Sequence, residues 1–385
     1  MWIRSALYSL GVAALFVTLV NSSFGAGAKA TPIREGQFVG AIGCKSSSCH
    51  GGAGEKRSQY LTWSQQDFHA KGYAILTNAR SARITETLSL SPAQIDSRCA
   101  VCHSPFQSVA PERLSPAAHV DEGVSCESCH NAAEPWLRGH TRTDWTYAMR
   151  VSAGMRDLRN LYVRANTCVA CHQNVDSDIL KAGHPELVFE LDGQSVAEPK
   201  HWRDDPSSGP RAWLIGQAVA LREVSWALSK TETPDPNAMA LCDGLIWILA
   251  KATTNQTRLP VINEVGENLS RSSVASLRGE ADLLARRAAE ISWSDNFAPT
   301  LLRSLAATDS EFVISKDATA TILFHRAERL VRALDRLSIA NATKQAKSPE
   351  LALLFEDVRS RENFQPMRFA EHLRSFRATL GQALP

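Results

Sequence analysis

The chain has almost no net charge, no long apolar run beyond its first twenty residues, and almost no histidine in its second half. Its 42 Lys and Arg against 40 Asp and Glu leave a formal charge of +2. That balance excludes the strong basic excess or basic stripe of a nucleic-acid binder. The one long apolar stretch runs from Ala6 to Val20 behind Arg4 and gives way to Ala26-Gly27-Ala28-Lys29-Ala30. A positive start, a short apolar run and a small-residue A-x-A site predict a secretory signal peptide over residues 1–28. About 17 to 20 apolar residues can just span a bilayer, so an uncleaved N-terminal anchor is the competing reading. No later segment is apolar for long enough to cross a membrane. The mature chain is therefore expected to be periplasmic or otherwise exported, without a membrane span.

Nine cysteines in an exported chain first suggest disulfides, but their spacing argues otherwise. Three segments read C-x-x-C-H: Cys99-Ala100-Val101-Cys102-His103, Cys126-Glu127-Ser128-Cys129-His130 and Cys168-Val169-Ala170-Cys171-His172. This is the attachment signature of c-type haem. Two thiols at this spacing form thioethers with the vinyl groups on one porphyrin edge, and the adjacent histidine reaches the iron. A fourth segment, Cys44-Lys45-Ser46-Ser47-Ser48-Cys49-His50, has the looser spacing C-x4-C-H. Its Ser-rich loop and the following Gly51-Gly52 let two extra residues bulge outward. Zinc is the rival for paired cysteines, yet a zinc ribbon needs no histidine after each second Cys. The expected cofactors are four c-type haems, bound by Cys44, Cys49, Cys99, Cys102, Cys126, Cys129, Cys168 and Cys171. His50, His103, His130 and His172 are the first iron ligands.

A six-coordinate haem iron needs a second axial ligand. Between His50 and Trp202, outside the motifs, stand His69, His119, His140, His184 and His201. Five candidates suffice to give four irons bis-histidine ligation. Downstream only His325 and His372 remain; the first is read as solvated beside Arg329 and Arg332, the second as ordinary packing.

The fold is expected to be mainly α, in two parts. Residues 36–205 form a multihaem cytochrome c domain of short helices and loops, because glycine, proline and serine interrupt it and porphyrins supply much of its core. Arg80, Arg83, Arg98, Arg138, Arg142 and Arg150 are candidate partners for the haem propionates. Asp204-Asp205-Pro206-Ser207-Ser208-Gly209-Pro210 marks a boundary. Beyond it, Leu214, Ala218, Leu221 and Leu228, and Leu323, Ala327, Leu330, Leu334 and Leu337, follow helical spacing. Further helices are expected near 238–252, 265–292 and 366–380, forming an antiparallel helical bundle over 211–385 with Cys242 as a buried free thiol. No catalytic constellation stands out in this half.

The first half resembles the tetrahaem cytochrome c-554 family, named for the electron acceptor of hydroxylamine oxidation. The resemblance rests on Phe38-Val39-Gly40, Trp63, His69-Ala70, Trp136-Leu137-Arg138-Gly139-His140 and above all Gly123-Val124-Ser125-Cys126-Glu127-Ser128-Cys129-His130. It implies His140 as the second ligand of the haem on His50, and His69 of the haem on His130. The haem on His172 would take His184 or His201. The family's namesake keeps its second haem five-coordinate, whereas His119 offers itself here as a ligand for the haem on His103. The C-x4-C-H site and the long C-terminal half depart from the family. The leading expectation is an electron carrier between redox partner proteins, its helical half serving a homo-oligomer or a respiratory complex. The alternative is an oxidoreductase of nitrogen or sulfur compounds with one five-coordinate haem.

Overall fold

Between residues 36 and 200 apolar runs are broken within two or three turns, so the helices there are short and begin on polar caps. The computed structural model describes residues 36–203, 208–254, 256–263, 271–313, 318–340 and 348–381. The expected signal peptide lies outside the described residues, as does part of the 204–210 boundary. The chain is mainly helical; among the described residues the only β pairing is an isolated parallel bridge between Phe38 and Leu114.

Among the described residues nine α-helices come before residue 200: α1 Gln59–Gln66, α2 Gly72–Ile75, α3 Ala79–Thr87, α4 Ser97–His103, α5 Cys126–His130, α6 Tyr147–Ser152, α7 Leu161–His172, α8 Ser177–Lys181 and α9 Leu191–Ala197. Side-chain caps start several of them. The Asn78 side chain accepts from the Ser81 N–H, Asp96 from Arg98, Thr146 from Met149, and Asn160 from both Tyr162 and Val163. Each satisfies a backbone donor that the helix start leaves unpaired.

Longer helices follow: α10 Gly209–Lys230, α11 Pro236–Thr253, α12 Arg271–Glu290, α13 Phe297–Ala306, α14 Ala320–Ala340, α15 Pro349–Asp357 and α16 Pro366–Gly381. Proline stands in the first turn of α10, α11 and α15, where its missing N–H costs nothing. Helix α10 is buried on nearly every side from Ala212 to Leu221, as befits a helix apolar all round. It packs on α7 and α9 as well as on α11, α12 and α14.

The continuous apolar core begins only at Leu161 and runs on to Phe376. Its first members, Leu161, Ala165 and Val169, form one stripe of α7 at intervals of four residues, so this helix is shared between the two halves. Cys242 is fully buried in α11.

His325 departs from the sequence reading. It is buried, not solvated, at 3% exposure. Its Nε2 pairs with Asn237 Oδ1 at 2.8 Å, because its face of α14 turns toward α11, where the Gly244 position would put a Cβ 3.0 Å from the His325 backbone. Arg329 is buried with it and donates to the Phe189 carbonyl. His372 does more than pack: its Nδ1 lies 2.6 Å from the buried Asp357 carboxylate.

Candidate functional site

The three C-x-x-C-H segments fall on helices, at the end of α4, over all of α5 and at the end of α7. Helical winding puts the first Cys, the second Cys and the histidine on one side, three and four residues apart. The Cys44–His50 segment is instead a tight double turn. The His50 N–H bonds the Cys44 carbonyl at 3.2 Å, and those of Cys49 and Gly51 both bond Ser46 at 2.8 and 3.0 Å. A Cβ at Gly51 would sit 1.7 Å from the Lys45 carbonyl oxygen, so the turn closes only over glycine.

Glu127, inside the third motif, clamps that motif to the chain ahead of the first. Its buried carboxylate accepts from the backbone N–H of Val39 at 3.0 Å, Gly40 at 2.7 Å and Ala133 at 2.6 Å. Arg156 ties the third motif to α7, donating to the Ser128 carbonyl at 2.9 Å and to Thr167 Oγ1 at 3.4 Å. The Cys44 and Cys126 side chains lie close enough to interact, as do those of Cys102 and Cys171. The first site thus adjoins the third and the second adjoins the fourth. All nine cysteines are free thiols.

Three motif histidines each face a histidine from outside the motifs. His50 and His140 are stacked with ring centres 6.1 Å apart, His103 and His184 lie 6.3 Å apart, and His172 and His69 lie 6.0 Å apart. Two imidazoles on opposite sides of one metal ion, each with a bond of about 2.0–2.1 Å and about 1.1 Å more to the ring centre, should stand about 6.2 Å apart. The observed spacing fits that requirement. His130 has no second ring at this spacing among the described residues. Burial, followed by the charges of His201 and His50, pushes its pKa down to about 4.

The outer nitrogens complete the fit. Nδ1 of His50 pairs with Gln59 Oε1 at 2.9 Å, and that of His140 with the Leu137 carbonyl. Nδ1 of His184 pairs with the Pro185 carbonyl at 2.8 Å, and that of His201 with the Pro199 carbonyl at 3.4 Å. For His69 the partner is the Asp67 carboxylate at 3.0 Å. His172 Nδ1 meets the Gln194 Nε2 at 3.4 Å, and the buried Oε1 of that amide has no partner, so the amide turned end for end would accept from the ring. A metal-bound histidine holds its second nitrogen in just this way, leaving Nε2 for the metal. Burial also lowers the pKa of His103, His140 and His172, which favours the neutral ring that ligates metals.

The surroundings suit a large apolar group with charged edges. Residues 36–160 contribute nothing to the continuous core. Ile42, Phe68, Ile75, Ile95 and Val101 stand exposed beside the motifs, Phe68 at 77%. Of the arginines expected at propionates, Arg98 is taken up by Asp176 and Asp178 and Arg142 by Asp144. Arg150 keeps a buried Nε without a partner.

The placements differ from the sequence reading in three respects. His69 faces His172, not His130. His184 faces His103. His119 is exposed and facing solvent, because its backbone N–H and the Glu122 side chain form the start of a short turn. Sequence reasoning missed Asp67 and Gln59 altogether. Asp67, two residues before His69, could have been picked out as a short-range cap.

Residues 43–131 match the family model for cytochrome c554 and c-prime. The match supports a c-type cytochrome, carrying electrons on covalently attached haem iron and working with redox partners. No curated protein and no solved structure matches the chain. The cytochrome c554 and c-prime segment takes in the first three motifs together with His69 and His119. The fourth motif, His140, His184 and His201 lie beyond it. No helix among the described residues is long and apolar enough to cross a membrane.

Proposed function

We propose that this chain is an exported tetrahaem c-type cytochrome that passes electrons between redox partner proteins, each iron held between two histidines. Cys44 and Cys49, Cys99 and Cys102, Cys126 and Cys129, and Cys168 and Cys171 carry the haems. The histidine pairs that would hold the irons are His50 with His140, His103 with His184, His130 with His201, and His172 with His69. His119 is left to solvent. The tetrahaem part spans 36–205, and the helical part over 211–385 braces the fourth site through α7.

The observation that carries this reading is the 6.0–6.3 Å spacing of three ring pairs, each joining a motif histidine to one outside the motifs. Haem iron supplies a reversible one-electron change between ferric and ferrous. The part of the protein's own residues is to saturate the iron, hold each imidazole by its outer nitrogen and keep the sites adjacent. The proximity of Cys44 to Cys126, of Cys102 to Cys171 and of Cys129 to Cys168 supports a path through the sites in the order one, three, four, two.

A second reading has one specific support. His130 lacks a ring partner at the iron-bridging distance, so an open iron would fall at the third site, beside His201. That would make the chain a haem-dependent oxidoreductase. Electron paramagnetic resonance of the fully oxidised protein separates the two, combined with a haem count per chain. Four haems and only low-spin ferric signals support the carrier. One high-spin signal that His201→Ala leaves unchanged supports the enzyme. Fewer than four haems overturns the tetrahaem reading.

A further inference from the structure

Of the ring nitrogens that point away from a partner ring, only that of His69 meets a charged group. His50 and His172 have amides there, while His140, His184 and His201 have backbone carbonyls. Asp67 is 4% exposed, and its carboxylate lies 3.0 Å from His69 Nδ1 while also accepting the His69 backbone N–H at 2.9 Å. The two hydrogen bonds fix both the ring and the turn that carries it. Glu198 closes on the same spot, its carboxylate within 4.8 Å of the Asp67 and His69 ligand atoms.

We propose that Asp67 is a positioning and tuning residue that makes the haem between His172 and His69 the lowest-potential centre of the four. The inference rests on the bis-histidine reading of that site. A carboxylate accepting from the outer nitrogen makes an imidazole a stronger donor to the metal. A stronger donor and a nearby negative charge both favour the ferric over the ferrous state, and hydrogen bonding of this kind is among the levers that set haem potentials. The other three sites have neutral acceptors and lack this bias. In the path proposed above, the fourth site lies between the third and the second, so the lowest potential would be internal and would act as a step that electrons climb.

The test is a spectroelectrochemical titration of the full-length haem-loaded protein, with electron paramagnetic resonance of the same samples. Asp67→Asn keeps an acceptor for the ring and the turn but removes the charge. The lowest midpoint potential should rise by a tenfold or larger change in the ferric-to-ferrous equilibrium, equivalent to about 59 mV for one electron. The other three should stay in place. The low-spin signal that titrates at lowest potential in the wild type should be the one whose position moves. Asp67→Glu, which keeps the charge, should leave the lowest potential close to the wild-type value. Asp67→Ser, which also caps the turn without charge, should repeat the Asn result. If neither neutral variant assembles four haems, Gln59→Glu applies the same chemistry to His50 and should lower one other potential. An Asp67→Asn protein with four low-spin haems and an unmoved lowest potential overturns the proposal, as does an unmoved set in Gln59→Glu. A wild-type protein without low-spin haem at all four sites instead removes the reading beneath it.

Discussion

Replacing Glu127 with alanine should cost about 3–5 kcal/mol of folding stability, although its carboxylate bonds only backbone N–H groups and no motif histidine. Three backbone N–H groups converge on its carboxylate, from Val39, Gly40 and Ala133. Each buried donor left without a partner costs about 1–3 kcal/mol. The Val39 bond is only part-buried and belongs at the low end, and burial works against the ionised carboxylate and raises its pKa, which offsets part of the gain. Glutamine should behave differently from alanine. Its Oε1 can still accept from Val39 and Ala133, but its NH2 would confront the Gly40 N–H, so the loss is one bond, about 1–3 kcal/mol. Thermal unfolding of the haem-loaded protein, followed by circular dichroism and by the haem absorbance, measures both. At about 2 °C per kcal/mol for a large domain, the alanine variant should melt roughly 6–10 °C lower. The reasoning is refuted if alanine costs less than about 1 kcal/mol, or if glutamine costs as much as alanine.

Two further outcomes follow from the sites and the core. His184→Ala should open the iron on His103 and add a high-spin ferric signal, while His119→Ala should leave haem count and spectrum unchanged; the reverse pattern would restore His119 as a ligand. Glu190, pushed up to about 7 by burial and then by the Asp192 charge, stabilises the fold below the ordinary carboxylate range. That contribution is lost as pH rises through 7. At about 1.36 kcal/mol per unit, wild type should lose up to about 3 kcal/mol between pH 4.5 and pH 7.5 relative to Glu190→Gln. Denaturant midpoints that run parallel in the two proteins would refute this.

The motif cysteines and their histidines could be singled out as candidates because the pattern that points to haem attachment is written in consecutive residues. The long helices were legible too: the stripe from Leu323 to Leu337 lies buried in α14, and the segments read near 238–252 and 366–380 are α11 and α16. The pairing of histidines was not, since which ring faces which is decided by packing between segments a hundred residues apart, as for His69 and His172. His119 looked suitable by proximity to Cys126 in the chain, but a turn carries it outward. His325 looked solvated beside two arginines because nothing local reveals that its face of α14 meets a glycine of α11. Asp67 was readable at most as a short-range cap; its contact with the His69 ring lies in one distance.

Helix α7 carries Cys168, Cys171 and His172 on one side and a stripe of the core, Leu161, Ala165 and Val169, on the other. A chain is made from its N-terminus, so this stripe is finished well before α10 and α12 exist to cover it. In that interval the Cys168 and Cys171 pair sits on a helix without its support. Once the later helices close over the stripe, the geometry around His172 is set. The geometry of the fourth motif is then a late decision in the life of the molecule, taken by residues far along the chain from it.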